Sequence, residues 1–162
     1  DLKKGTQSDL EQLTKQQIEV DLGAPALLPE EYLPDVNARL VLYKRIAGAE
    51  NLEALKELQV EMVDRFGLLP DAAKNLIHST AVKLAALPLG INKIEANAEQ
   101  VLLKIGDAHQ LDPVKIITLI QQQPQRVKLN GNNKIILLAR MERVEQRRKE
   151  LETLLIELTP TE

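Results

Sequence analysis

At Pro88-Leu89-Gly90 the apolar period of the chain changes, and this break constrains the possible fold more than any other feature of the sequence. Before it, from Asp35 onward, apolar residues recur every three or four positions, the spacing of helices with one buried face. Asp35 is placed to cap a first helix with Val36, Leu40, Tyr43 and Ala47 inward, and Gly48 to supply a left-handed stop. A second helix is capped by Asn51 and terminated by Gly67. After Leu68-Leu69-Pro70-Asp71, a third carries Leu76, Ile77, Leu84 and Leu87 inward until Pro88 and Gly90 end it. Beyond the break, residues 91–95 and 100–105 read as strands around Asn97-Ala98. Asp112-Pro113 opens a helix through Ile116, Ile117 and Ile120 to Pro124. Residues 126–129 and 134–138 flank Asn130-Gly131-Asn132-Asn133, a hairpin signal because Asn and Gly tolerate positive φ. Residues 140–158 read as a last helix with Met141, Val144, Leu151, Leu155 and Leu158 inward. The expected fold class is α+β: an N-terminal three-helix layer packed with a small, mostly antiparallel sheet and closed by a C-terminal helix.

Upstream of Asp35 the pattern is different. Ile18-Glu19-Val20-Asp21-Leu22 alternates apolar and acidic residues as a half-buried strand does, and a short helical turn is expected at residues 9–13. Pro25, Pro29 and Pro34 then punctuate an extended stretch, since each fixes its own φ and biases the preceding residue away from helix. Residues 1–34 are read as a linker with a strand within 17–22, residues 35–158 as the domain, and 159–162 as a tail. The chain begins without Met and is expected to be a piece of a longer polypeptide.

Composition removes several classes of function. A chain of 162 residues with 44% hydrophobic content can build a substantial core, but Tyr32, Tyr43 and Phe66 are its only aromatics, so that core must be aliphatic. The same shortage denies single-stranded nucleic acid its stacking platforms. A net charge of −3 argues against a chain devoted to phosphate backbones. The absence of cysteine excludes disulfides, thiol nucleophiles and Cys-based metal sites, and fits a cytoplasmic location. The longest apolar run, residues 135–139, is far too short to span a membrane.

Catalytic signals are equally sparse. Lys4-Gly5-Thr6 lacks the preceding glycines of a phosphate loop, His78 and His109 have no metal-ligand partners at helical spacing, and Ser8 and Ser79 have no nucleophile-elbow context. No catalytic residue, metal ligand or cofactor site is assigned. On the last helix Arg140, Arg143, Arg147, Arg148 and Lys149 alternate with Glu142, Glu145, Glu150 and Glu152, a pattern of surface ion pairs more than of a nucleic-acid footprint. Lys44 and Arg45 suit the C-terminal dipole of the first helix.

One pattern stands out. Glu50, Glu53, Glu57, Glu61 and Asp64 fall within an arc of about 80° when plotted at about 100° per residue, opposite Leu52, Leu55, Leu58, Met62, Val63 and Phe66. Like charges at these spacings repel, so local stability does not favour the stripe, whereas a basic partner surface would. The plainer reading is a solvated helix face with Lys56 and Arg65 as compensation.

The string Asp35-Val36-Asn37, Arg39-Leu40, Tyr43-Lys44-Arg45-Ile46-Ala47 and Asp64-Arg65-Phe66-Gly67-Leu68-Leu69-Pro70-Asp71 closely resembles the C-terminal module of the bacterial transcription-repair coupling factors, the Mfd translocases. Residues 17–22, Leu27-Leu28-Pro29 and Gln123-Pro124-Gln125 are similar too. The resemblance covers nearly the whole chain and is weakest at the final helix. It implies a parent that is an ATP- and Mg-dependent DNA translocase, one that displaces stalled RNA polymerase and recruits the repair protein UvrA through a UvrB-like module. The C-terminal module would dock on that UvrB-like module, mask the UvrA-binding surface and restrain the motor until polymerase is engaged. By this resemblance Glu61 and Asp64, supported by Glu57, are the partner-binding residues, and the chain is a non-catalytic, monomeric regulatory fragment with no cofactor and no direct nucleic-acid or membrane contact. The alternative reading is a nucleic-acid-binding accessory module using the final helix or the 126–134 hairpin.

Overall fold

The structure, a computed structural model, describes residues 18–161. The Lys4-Gly5-Thr6 segment and the turn expected at residues 9–13 lie outside the described residues. Among those described, the elements are β1 (Glu19–Asp21), α1 (Val36–Ala47), α2 (Leu52–Phe66), α3 (Asp71–Ala86), β2 (Ile91–Ala96), β3 (Gln100–Ile105), α4 (Pro113–Gln122), β4 (Val127–Asn130), β5 (Lys134–Leu138) and α5 (Val144–Leu158). The result is α+β, with five helices and one five-stranded mixed sheet.

Local chemistry sets most of the boundaries. Asp35 accepts a hydrogen bond from the Asn37 amide at the start of α1, Asn51 from Ala54 at the start of α2, and Asp112 from Val114 at the start of α4, where Pro113 occupies the first turn. Gly90 ends the 3-10 turn Leu87–Leu89 at φ +73°, and a Cβ there would lie 2.8 Å from the His109 Cα, so both conformation and space call for glycine. Gly48 is different from expectation. Its φ is −88°, and it caps α1 by donating its amide to the Lys44 carbonyl rather than by turning left-handed.

The sheet order is β1-β2-β3-β5-β4, with β1 parallel to β2 and every other pair antiparallel. Register lines up Val20, Ile94, Leu103, Ile135 and Leu129 across all five strands, and Ala96, Val101, Leu137 and Val127 in the next row. This is the period-2 alternation of a sheet packed on one face. The packed face meets Ile116 and Leu119 of α4, Leu151, Leu154, Leu155 and Leu158 of α5, and Val82 and Ala86 of α3. A second apolar cluster joins Leu42 and Ile46 of α1, Leu55, Leu58 and Met62 of α2, and Ala73, Ile77 and Ala81 of α3. Helix α3 therefore belongs to both.

Helix α1 turns a different face inward than its period suggests. Leu42 and Ile46 are buried, whereas Val36 and Leu40 are more than half exposed and Ala47 faces solvent. Apolar residues lie almost all round this helix, so spacing alone does not choose a face. The choice is made by the preceding stretch: Leu28 and Leu33 are buried in the helical cluster, Arg39 donates to the Leu33 carbonyl, and the Tyr43 hydroxyl accepts the Leu28 amide. Residues 18–34, read as a linker, thus lie on the fold for this part of their length. Ile18 and Leu22 enter the sheet cluster, the Leu27 amide donates to the Ala72 carbonyl, and the Asn75 side chain donates to the Pro25 carbonyl. Leu87, expected inward, is 37% exposed because it sits in the 3-10 turn that leaves the helix axis.

The last helix begins at Val144, not at residue 140. The Ala139 and Met141 amides donate to the Glu99 and Ala98 carbonyls, extending the chain beside the β2–β3 turn, and Met141 is fully buried. Arg147 then closes this joint. Its buried guanidinium donates to the carbonyls of Leu22 at 2.7 Å, Met141 at 3.0 Å and Glu142 at 3.2 Å, tying the end of β1 to the start of α5. Gly23 sits beneath it at φ +77°, where a Cβ would fall 2.5 Å from the Ala96 carbonyl oxygen.

Replacing Arg147 with Met keeps the bulk but strands buried carbonyls, and should lower the unfolding free energy by about 2–4 kcal/mol in urea titration. A loss under about 0.5 kcal/mol would show that this joint carries little of the stability. Gly23→Ala should destabilise by about 1–3 kcal/mol in the same assay, because it combines a positive φ with a backbone clash.

Candidate protein-docking face

Helix α2 has one side committed to the core through Leu55, Leu58 and Met62, none more than 6% exposed. Its opposite side carries the acidic stripe. Glu50, Glu53, Glu57 and Asp64 are exposed, and none takes part in an ion pair among the described residues.

Glu61 is the exception. The Arg45 guanidinium of α1 grips it in a two-pronged pair, Nη1 to Oε2 at 2.5 Å and Nη2 to Oε1 at 2.9 Å, and Arg65 adds a third contact at 3.3 Å. Planar two-point pairing of this kind is the strong form of the guanidinium-carboxylate interaction. The hydrogen bonds from Arg45 lower the Glu61 pKa from 4.5 to about 2, with desolvation opposing them and the Arg45 and Arg65 charges adding to them. Arg65 also lies over the Phe66 ring, 4.9 Å from its centre. Of the expected partner-binding residues, the structure brings Glu57, Glu61 and Asp64 to one helix face, and among the described residues Glu57 and Asp64 have no ion-pair partner there.

Two further features complete the face. Val60 is 61% exposed in the middle of the stripe, between Glu57 one turn before it and Asp64 one turn after. On α1, Val41 is 56% exposed one turn before Arg45. A shallow groove bounded by Arg45, Gly48, Glu50, Glu57 and Glu61 runs between the end of α1 and α2. Apolar side chains within a charged rim are the usual layout of a protein contact. Neither valine is marked by sequence, because an exposed apolar residue is common. Arg45 is explained there by the helix dipole alone, and its partner sixteen residues on becomes visible only when α1 and α2 pack. Arg65 was legible, lying at i+4 from Glu61.

Chemically, this face suits ionic and hydrogen-bond recognition of guanidinium or ammonium groups. It lacks the paired, unlike environments that acid-base catalysis needs, since its one perturbed carboxyl is held more firmly ionised. Among the described residues, no group of three or more His, Asp or Glu could hold a metal ion, and no helix is long and apolar enough to cross a membrane.

The cations at the start of α5 are largely committed. Arg147 is buried, Arg143 pairs with Glu145, and Arg148 pairs with Glu152 while contacting Nδ1 of His78 at 3.0 Å. Burial and the Arg148 charge lower the His78 pKa. Nδ1 of His109 accepts the Leu111 amide.

Because the folded-state pKa of Glu61 lies below its ordinary value, its contribution to stability is fully present above about pH 4.5 and is lost as pH falls towards 2. Carboxyl-detected NMR should find Glu61 titrating near 2, and Glu61→Gln should flatten the pH dependence of unfolding across that window. A midpoint near 4.5 would mean that Arg45 does not hold it in solution.

The TRCF domain family model matches residues 22–116, well over half of the chain. The transcription-repair-coupling factor of Escherichia coli K12 is 41% identical over 158 residues, covering 93% of this chain and 14% of that protein. The Haemophilus influenzae transcription-repair-coupling factor is 47% identical over 130 residues, covering 80% of this chain and 11% of that protein. The chain thus spans only a small part of these relatives. A crystal structure of the C-terminal domain of transcription-repair coupling factor superposes with a TM-score of 0.72 over 87% of this chain and 91% of that one, at 19% identity, which establishes likeness of fold. Family match and relatives agree, and the chain belongs to the transcription-repair coupling factor family.

Proposed function

We propose that this domain is the non-catalytic, autoinhibitory part of its parent protein: it docks on the UvrB-like module of the same polypeptide, masks the UvrA-binding surface and restrains ATP-driven DNA translocation until RNA polymerase binds. The observation that carries this reading is the face of α2, whose Glu57 and Asp64 stand exposed and without an ion-pair partner among the described residues, beside Val60 on a helix anchored from behind by the core. A row of uncompensated carboxylates costs local stability, and a basic partner offsets that cost. Polar contacts also suit a latch that must open, because charge pairs give register and specificity with modest net affinity. The catalytic cofactors, ATP and Mg, belong in this reading to the motor of the parent, working in the cytoplasm. In this reading the domain is covalently joined to that motor, and such a linkage raises the effective concentration of the docking face.

In the full-length factor, changing Glu61 and Asp64 together to Ala should increase both UvrA binding and the ATPase measured without polymerase. Unchanged UvrA affinity would overturn the docking reading.

A further inference from the structure

We propose that Arg45 is a built-in competitor for Glu61, so that docking proceeds at this carboxylate by exchange of one guanidinium for another, while Asp64 supplies the uncompensated attraction. This inference rests on the docking reading above. Its basis is the asymmetry of the stripe. Glu61 already has both oxygens engaged by Arg45 and a third contact from Arg65, whereas Asp64, one turn further on, has no cation paired with it among the described residues.

Geometry makes the exchange feasible. Arg45 reaches Glu61 from the neighbouring helix, its side chain is 43% exposed and that of Glu61 37%, so an incoming cation meets the pair from solvent without unpacking the core. A partner guanidinium at Glu61 must replace hydrogen bonds that are already made. The net gain there is a difference between two similar pairs, and exposed pairs are individually weak. At Asp64 the gain has no such offset. Arg45 also places a positive charge beside the groove, which penalises a cationic partner surface for as long as Arg45 is displaced and unpaired. Partner selection therefore falls to Asp64, and Arg45 keeps the latch weak enough to open.

A double-mutant cycle in the full-length factor, read by the affinity for UvrA, whose access the latch controls, separates these roles. R45Q should tighten the latch and so weaken UvrA binding by about threefold, with R45K intermediate because a lysine lacks the planar fork. D64N should strengthen UvrA binding by about fivefold or more. E61Q should have a smaller effect than D64N, and R45Q combined with E61Q should match E61Q alone, since the competitor acts only through that carboxylate. If D64N strengthens UvrA binding but R45Q leaves it unchanged or strengthens it, or acts equally with and without Glu61, the exchange is overturned and docking stands. If D64N has no effect, the docking reading itself fails.

Discussion

The fold depends on α3 being shared. Its first half packs Ala73, Ile77 and Ala81 against the helical hairpin, and its second half sends Val82 and Ala86 into the sheet cluster. Most of these residues are alanine, small enough for the neighbouring elements to pack near the α3 backbone, and a larger side chain at Ala73, Ala81 or Ala86 would overpack the cluster it faces. An aliphatic interior with three aromatics has few large groups to bridge gaps, which makes this close approach the means of filling the centre.

Arg147 performs the corresponding task for the chain ends. A buried guanidinium without a carboxylate partner is normally expensive, and here its charge is met by three backbone carbonyls, one of them 125 residues away in sequence. The strand entering from the N-terminal side is therefore fastened to the last helix. This contact places the two ends of the described domain under one constraint.

The rear of α2 explains how its front can carry so much charge. Met62, Leu58 and Leu55 hold the helix by burial, each contributing on the order of 1.5–3 kcal/mol, against a few tenths of a kcal/mol for each like-charge neighbour on the surface. The stripe is thus a modest surface cost that the core outweighs easily. Its charge remains free for recognition, except at Glu61, where α1 intervenes.

Sequence by itself determined the element order, the caps at Asp35, Asn51 and Asp112, the strand pairing around Asn97 and Asn130 and the placing of Glu57, Glu61 and Asp64 on one face. Each of these depends on neighbours within a few residues, where period, capping and turn chemistry act. Tertiary structure alone decided the rest: which side of α1 is buried, that residues 139–142 stay outside the last helix and bond to the β2–β3 turn, that Arg147 is an interior anchor, and that Arg45 claims Glu61. Those outcomes depend on groups brought together from distant parts of the chain. Burial and hydrogen-bond satisfaction are settled only once the helices have packed, and at that point long-range contacts override the local pattern.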